Sequence, residues 1–251
     1  MSEYILKNEI KLIALDMDGT LLDPDNKVTE ENRQAIKAAE GQGVHVVLST
    51  GRTFATCSDY AKSLELSSYL VTVNGSEIYN EQGKLVERNI IQTDFVKWML
   101  DICNQFKTDY WAVSCDRVYR DDIPEDLFAS EWLKFGFNTS DNKAREEIIQ
   151  LLKGNGQLEV SNSSPTNIEV NALGINKAKA IEVVCNRLGI NMNEVMAVGD
   201  SLNDIMMIKE AGLGVAMGNA QEIVKETADW ITATNEENGV AKAIEKWVLK
   251  S

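Results

Sequence analysis

Two aspartates near the start of the chain, Asp16 and Asp18, have the spacing of a site for phosphate chemistry assisted by a metal ion. Two carboxylates separated by one residue can share a hard cation. Gly19 allows the chain to turn tightly after them, and Thr20 brings a hydroxyl group close to the same place. The order Asp-x-Asp-Gly-Thr therefore predicts a place where a bound cation meets a phosphate group.

The same Asp-x-Asp-Gly order also begins the calcium loop of an EF-hand, but the following residues exclude that motif. An EF-hand loop has a glutamate at its twelfth position. Here the twelfth position is Lys27, and the chain continues after Thr20 with the apolar Leu21 and Leu22. The remaining alternative is a strand that runs into an aspartate-rich turn without a ligand, and the rest of the chain must decide against it.

The elements that position these aspartates are short apolar runs separated by helical patterns. The run that ends at Leu15 predicts a buried strand with Asp16 at its carboxyl end, and a helix is predicted from Thr29 to Gln42. Strands alternating with helices are typical of a doubly wound α/β core with a mainly parallel sheet. The further predicted strands of this core are Val44–Leu48, Tyr69–Val73 and Val195–Val198.

Polar residues follow four of these strands where each one ends. Beside Asp16 and Asp18 they are Ser49–Arg52, Asn74 and Asp200–Asp204. The carboxyl ends of parallel strands meet at one edge of a sheet, which is where such sheets bind ligands. Two carboxylates in contact repel by about 4 kcal/mol at an effective dielectric constant of about 20. A cluster of the aspartates therefore requires a cation, and oxygen ligands without His or Cys favour magnesium over zinc.

The middle of the chain has a different pattern. Between about residues 89 and 170 the sequence predicts helices and hairpins, with Trp132 in a helical segment as a packing residue. Antiparallel strands with helices on one side are typical of an α+β module. We therefore divide the chain into an α/β core of residues 1–83 and 172–251 and an inserted α+β domain of residues 84–171.

Composition limits the class of partner. The formal net charge is −14 and the pI is near 4.6, which argues against binding to nucleic acid or to an anionic membrane. The first ten residues lack the apolar core of a signal peptide, and no stretch is long enough to span a membrane. The four cysteines form no CxxC pair and indicate neither zinc nor a disulfide framework. We expect a cytoplasmic protein whose ligand is small; its protein partners are not predicted.

Four segments, in their order along the chain, resemble the motifs of the haloacid dehalogenase-like hydrolase superfamily. They are Asp16–Thr20, Ser49–Arg52, Lys177 and Gly199–Asp204. The position of the insert, together with Val215–Ala220 and Asn238–Ala241, is similar to the Cof-type sugar-phosphate phosphatases with a class II (type B) cap. The resemblance implies a Rossmann-like core, a cap formed by the insert, and a magnesium-dependent phosphatase that acts on a small phosphorylated metabolite, expected to be a sugar phosphate.

The resemblance also implies a role for individual residues. Asp16 would attack phosphorus and form an aspartyl phosphate, and Asp18 would act as general acid and then as general base. Mg²⁺ would be held by Asp16, by the backbone carbonyl of Asp18 and by Asp200, with Asp204 supporting these ligands. The residues implied to bind the phosphoryl oxygens are Met17, Thr50, Gly51, Lys177 and Asn203.

Several alternatives remain open at this point. Lys177 could be solvated, Thr50 could only cap the next helix, and Asp204 could be a surface residue in its helix. A phosphomutase of the phosphomannomutase type or a non-catalytic sensor of a phosphometabolite would share the motifs. The insert would select the substrate, and its candidate residues for that selection are Trp111, Asp116, Arg117 and Tyr119.

Overall fold

The computed structural model, which describes residues 8–120 and 122–249, contains two β-sheets. The strands are β1 Leu12–Leu15, β2 His45–Ser49, β3 Leu70–Thr72, β4 Glu77–Tyr79, β5 Leu85–Arg88, β6 Asp109–Ser114, β7 Val118–Tyr119, β8 Trp132–Asn138, β9 Leu158–Ser161, β10 Asn167–Ala172, β11 Val195–Gly199, β12 Leu213–Ala216 and β13 Trp230–Ile231. The α-helices are α1 Glu30–Gly41, α2 Phe54–Ser63, α3 Thr93–Phe106, α4 Asn142–Asn155, α5 Lys177–Leu188, α6 Ile205–Glu210, α7 Glu222–Thr227 and α8 Gly239–Trp247.

The larger sheet has eight strands in the order β13-β12-β11-β1-β2-β3-β4-β5. The six strands from β13 to β3 are parallel, and β4 and β5 are antiparallel to their neighbours. Strand β1 lies in the middle, where Leu15 pairs with Val198 on one side and with Leu48 on the other. The predicted α/β fold class is confirmed.

Both faces of this sheet are buried, as a parallel sheet requires. Ile13 and Leu15 of β1 belong to one apolar cluster, with residues of α1 and α8. Leu12 and Ala14 belong to a second cluster on the opposite face, with residues of α5. Alternate residues of β1 therefore contact opposite helical layers, and the strand that ends at Asp16 is fixed from both sides.

The smaller sheet has five antiparallel strands in the order β7-β6-β8-β10-β9. It packs against α3 and α4 through a third apolar cluster that includes Trp132, Phe135 and Phe137. The helical prediction for Trp132 is wrong, because Trp132 begins the central strand β8. Strands favour aromatic side chains, and β8 carries Trp132, Phe135 and Phe137.

The chain enters and leaves the smaller sheet through neighbouring parts of the larger one. Strand β5, which ends at Arg88, still pairs with β4 in the larger sheet, and α5 begins at Lys177 soon after β10 ends. The sequence division at residue 84 lies inside the β4–β5 hairpin. Among the described residues, no helix is long and apolar enough to cross a membrane.

Candidate active site

Asp16 lies where β1 ends, between the ends of β2 and β11. Its backbone N–H donates to the carbonyl of Val198 at 3.0 Å, which continues the ladder between β1 and β11 by one residue. Its side chain is almost completely buried. The neighbouring strands β2 and β11 bring Thr50 and Asp200 to the same edge, as expected for parallel strands that end together.

Lys177 is the buried cation of this edge. Its ammonium group donates to Asp16 Oδ1 at 2.6 Å and to Asp204 Oδ1 at 2.7 Å, and none of the Lys177 side chain is exposed. Burial disfavours the charged amine, but the carboxylates of Asp16 and Asp204 outweigh this effect and raise the pKa of Lys177. Lys177 is therefore charged at neutral pH, and the structure excludes the alternative of a solvated lysine.

Asp204 is a supporting residue with both carboxylate oxygens occupied. Its Oδ1 accepts from Lys177, while its Oδ2 accepts from the backbone N–H groups of Asp200 and Ser201, each at 3.0 Å. Because Asp204 is fully buried, the alternative of a surface residue is excluded. These bonds hold the loop after β11 in the conformation that turns Asp200 towards Asp16.

Asp200 accepts hydrogen bonds from the hydroxyl groups of Thr20 at 3.0 Å and Ser201 at 2.9 Å. Burial, followed by the charge of Asp204, raises the pKa of Asp200 to about 6. Burial also raises the pKa of Asp16 well above its usual range; Lys177 opposes this shift, while Asp204 and Asp200 add to it. Both aspartates therefore lie in a place where an added positive charge would favour the ionised form.

Asp16, Asp200 and Asp204 have the donor set of a site for a hard divalent cation; Asp16 and Asp204 are buried, and Asp200 is partly exposed. One carboxylate oxygen from each of Asp16, Asp200 and Asp204 lies within 4.8 Å of the other two. Three carboxylates and the single ammonium of Lys177 have a formal charge of −2, which one divalent cation would cancel. Since all the donors are oxygens, the set fits Mg²⁺ better than a soft metal ion.

The side chain of Asp18 points away from this cluster and is paired with Arg52. The guanidinium donates through Nε to Oδ2 at 2.8 Å and through Nη2 to Oδ1 at 2.5 Å. Asp18 is about half exposed, with 54% of its side chain accessible, whereas 22% of Arg52 is accessible. A two-point arginine contact fixes the orientation of a carboxylate, so Asp18 is held at the mouth of the cavity that leads to Asp16.

The predicted phosphate-binding residues surround the same edge. Thr50 is buried and its hydroxyl accepts from the backbone N–H of Arg52 at 3.1 Å, which closes a local turn. Asn203 donates to Asn74 Oδ1 at 3.2 Å, and among the described residues nothing donates to its own Oδ1. The side chain of Met17 is buried in the core, so Met17 can offer only its backbone.

A cavity of about 230 Å³ opens beside Asp16 and lies between the two sheets. Asp16, Asp18, Gly51, Arg52 and Asn203 line it from the larger sheet. The side chains that line it from the insert are Lys134, Ser163 and Glu169.

Sequence analysis missed these three residues of the insert. The signal for two of them was a charged residue between apolar neighbours in a strand, since Lys134 follows Leu133 and Glu169 follows Ile168. The selected candidates do not line the cavity. Trp111 covers Gly136, where an added Cβ would lie 2.2 Å from its ring, and Tyr119 packs on Trp132 with ring centroids 5.4 Å apart.

Gly199 is required because Asp204 occupies the space of a side chain. A Cβ on Gly199 would lie 2.4 Å from Asp204 Cγ, so Gly199→Ala must displace that carboxylate. We expect the free energy of unfolding to fall by about 1–3 kcal/mol, as for other overpacked cores. Urea denaturation of the variant measures this change.

The matched control is Gly154→Ala in α4, where an added Cβ would meet no atom within 4 Å. Alanine in an open helical position is expected to leave stability unchanged or to raise it by up to about 1 kcal/mol. Equal denaturation curves for the two variants would contradict the tight fit at Gly199.

Comparison with known proteins gives three findings. A family model described as haloacid dehalogenase-like hydrolase matches residues 13–135 and 121–244. The phosphatase YcsE of Bacillus subtilis, whose name gives 5-amino-6-(5-phospho-D-ribitylamino)uracil as its substrate, is 58% identical over 241 residues, which are 96% of this chain and 97% of that protein.

The third finding concerns solved structures. A haloacid dehalogenase-like hydrolase from Bacillus subtilis superposes with a TM-score of 0.87 at 26% identity, over 94% of this chain and 99% of that one. The sugar phosphatase BT4131, of HAD subclass IIB, superposes with a TM-score of 0.81 at 25% identity, over 94% of this chain and 98% of that one. The similarity thus covers the larger and the smaller sheet together.

Proposed function

This chain belongs to the haloacid dehalogenase-like hydrolases and is a phosphatase that acts on a phosphorylated metabolite, and from that premise we propose that Asp16 is its nucleophile and Mg²⁺ its cofactor. The observation that supports this proposal best is the surroundings of Asp16. Asp16 contacts the ammonium of Lys177 and lies with Asp200 and Asp204 beside the cavity. The phosphatase class leaves the mutase and sensor alternatives without support.

The proposed reaction has two displacements on phosphorus. A carboxylate oxygen of Asp16 attacks the phosphoryl group, the bond to the leaving oxygen breaks, and Asp18 gives its proton to that oxygen. Asp18 then takes a proton from a water molecule, which attacks the aspartyl phosphate and releases inorganic phosphate and the free Asp16 carboxylate. In the structure both carboxylate oxygens of Asp18 accept hydrogen bonds from Arg52, so Asp18 must leave this contact to act in either proton transfer.

The remaining residues bind charge that spreads over the phosphoryl oxygens. We assign this role to the backbone amides of Met17 and Gly51, the Thr50 hydroxyl, the Lys177 ammonium and the Asn203 amide. Mg²⁺, held by Asp16, Asp200 and the Asp18 carbonyl, would supply further positive charge to the same oxygens. Asp204 fixes Lys177 and the loop that carries Asp200.

We further propose that residues 84–171 act as a cap over the substrate. Two contacts across the cavity support this assignment. Lys134 Nζ donates to the carbonyl of Gly51 at 2.8 Å, and Asn74 Nδ2 donates to Glu169 Oε2 at 2.6 Å. A cap in this position would exclude bulk water while the aspartyl phosphate forms.

As substrate we propose 5-amino-6-(5-phospho-D-ribitylamino)uracil, the compound in the name of the 58% identical relative. Its phosphate is an ester of a reduced five-carbon sugar, which agrees with the sugar phosphate expected from the motifs. The net charge of −14 requires a local positive site for such an anion. Lys177, Arg52 and a bound cation would provide it.

The test is phosphate release from a panel that contains this compound, ribose 5-phosphate, a hexose phosphate and p-nitrophenyl phosphate. Each is assayed with Mg²⁺ and with EDTA. We expect release that depends on Mg²⁺ and is fastest, in kcat/KM, for the ribitylamino compound. Full activity in EDTA would contradict the role of the cation, and a higher kcat/KM for another compound would contradict the proposed substrate.

The affinity for Mg²⁺ is expected to fall at acid pH. Since the pKa of Asp200 is raised to about 6, this carboxyl binds a proton below that pH and the proton competes with the cation. At pH 5 the apparent Kd should be about tenfold weaker than above pH 7. Calorimetric titration of the protein with MgCl₂ at pH 5 and pH 7.5 measures it; the same Kd at both pH values would contradict it.

A further inference from the structure

Lys134 and Glu169 form a buried ion pair on the insert, next to the cavity. Lys134 is on β8, and Glu169 is on the neighbouring β10, opposite Gly136. The two residues are 4% exposed, and Lys134 Nζ lies 3.5 Å from Glu169 Oε1. From this pair we propose that the insert recognises neighbouring hydroxyl groups of the leaving group, with Lys134 as donor and Glu169 as acceptor; the inference rests on the proposed function.

The pair is not explained by stability alone. Burial of two charges costs free energy, and apolar residues of similar size are often as stable in such a place. Here Glu169 is ionised, because burial is outweighed by the charge of Lys134 and by hydrogen bonds from Asn74 and Ser163, which lower its pKa. The molecule thus keeps two charges beside a cavity where a ligand must fit.

Both groups have hydrogen-bonding capacity left for a ligand. Glu169 accepts one bond on each oxygen, from Ser163 Oγ at 2.8 Å and from Asn74 at 2.6 Å, and a carboxylate can accept about four. The ammonium of Lys134 has three protons, of which one is donated to Gly51 and another faces Glu169. Since both residues line the cavity, their remaining donor and acceptor positions are available to a molecule inside it.

The position of the pair places it beside the ester bond. Lys134 bonds to the carbonyl of Gly51, whose amide we assign to the phosphoryl group. An added Cβ on Gly51 would lie 3.4 Å from Lys134 Nζ and 3.7 Å from Glu169 Oε2. Groups on the carbons nearest the phosphate are therefore the ones within reach of the pair.

The charges of Lys134 and Glu169 determine which groups of a ligand can bind beside the pair. Lys134 and Glu169 cancel each other, so the pair attracts neither an anion nor a cation, and a second phosphate or carboxylate would be repelled by Glu169. A neutral hydroxyl group can accept from the ammonium while its neighbour donates to the carboxylate. A ribityl chain carries hydroxyl groups on the carbons that follow its phosphorylated carbon, and a simple alkyl chain carries none.

The test compares D-ribitol 5-phosphate with n-pentyl phosphate, which has the same chain length and no hydroxyl groups. We expect the protein to prefer the ribitol ester in kcat/KM, and we expect Glu169→Gln, Lys134→Met and the double variant to lower that preference about tenfold or more. The control is Lys143→Met, which breaks the exposed Lys143–Glu147 pair of α4 and should leave the preference unchanged. Equal losses for both esters in the Glu169 and Lys134 variants would overturn the inference.

A binding measurement separates this inference from the proposed function. In an Asp16→Asn background, calorimetry gives the Kd of each ester without turnover, with and without Glu169→Gln. Selective binding of ribitol 5-phosphate that is abolished by Glu169→Gln would support the inference, whether or not the parent protein hydrolyses either ester. Absence of hydrolysis of both esters by the parent protein would contradict the proposed function. Hydrolysis of both esters without preference, and equal Kd values, would overturn the inference and leave the phosphatase mechanism intact.

Discussion

Replacement of Asp16 by asparagine is expected to lower kcat for phosphate release by roughly 10³-fold or more, since loss of the proposed nucleophile would remove the covalent route altogether. Asparagine has nearly the same shape and can still accept the hydrogen bond from Lys177, so the site should remain assembled. Phosphate release at saturating substrate, in the presence of Mg²⁺, measures the loss. An unchanged kcat would remove Asp16 from the mechanism.

The matched control is Asp25→Asn. Asp25 lies nine residues further along the same loop region, is exposed, and makes no side-chain hydrogen bond or ion pair to the residues that the structure describes. The chemical change is the same at both positions, but only Asp16 faces the cavity. Melting temperatures of both variants should show that each is folded, which assigns the loss at Asp16 to chemistry.

Replacement of Lys177 by methionine is expected to be the most damaging change to stability in the site. It removes the cation from a cluster in which Lys177 and Asp204 are completely buried and Asp16 nearly so. Breaking such a pair from one side leaves buried charge without compensation and lowers the free energy of unfolding by about 3–5 kcal/mol. Urea denaturation in EDTA measures it, and phosphate release should be lost as well.

Two conditions, acid pH and added Mg²⁺, should reduce the loss of stability in Lys177→Met. Lys177 opposes the rise in the pKa values of Asp16 and Asp200, so its removal raises both pKa values further above those of the unfolded chain. The added cost to stability is largest at high pH and smallest when both carboxyl groups are protonated in the folded and the unfolded state. The loss in the free energy of unfolding of Lys177→Met, relative to the parent protein, should therefore become smaller as the pH falls from above 6 towards 4. Added Mg²⁺ should also reduce it at neutral pH by supplying positive charge.

Lys179→Met provides the comparison for this variant. Lys179 is in the same helix, has 60% of its side chain exposed and pairs with Glu182 on the surface. Exposed ion pairs contribute between about zero and 1 kcal/mol. If Lys179→Met and Lys177→Met were equally stable in EDTA, the buried cluster would not hold the fold together as inferred.

The core and its polar edge could be predicted because their signals are local. An apolar run that stops at Asp16 specifies where a strand ends, and Thr29 specifies a helix start that the structure confirms, with its hydroxyl accepting from the N–H of Asn32. The parallel arrangement then brings separate strand ends together without further information. Motif order was sufficient to predict the family, and the comparisons confirm it.

The lining of the cavity from the insert could not be predicted in the same way. Whether Lys134 faces solvent or the cavity depends on which face of the smaller sheet lies against the larger one, and nothing local specifies that. The prediction of a helical segment at Trp132 leaves no strand at β8, so it does not indicate that Lys134 lies on one face of a sheet. Trp111 and Tyr119 were selected as candidates for their chemical type, but they pack against neighbouring parts of the smaller sheet.

The central position of β1 also determines when this enzyme becomes complete during its synthesis. One neighbour of β1 is β2, which emerges early, and the other is β11, which emerges late. Thr20 and its partner Asp200 are 180 residues apart. At a synthesis rate of about 5–20 residues per second, the edge of β1 that pairs with β11 stays unpaired for roughly 10–40 s. During that interval the nascent chain has an open strand edge that a chaperone could cover, and Asp16 lacks the loop that carries Asp200, so the proposed active site is incomplete until β11 has left the ribosome.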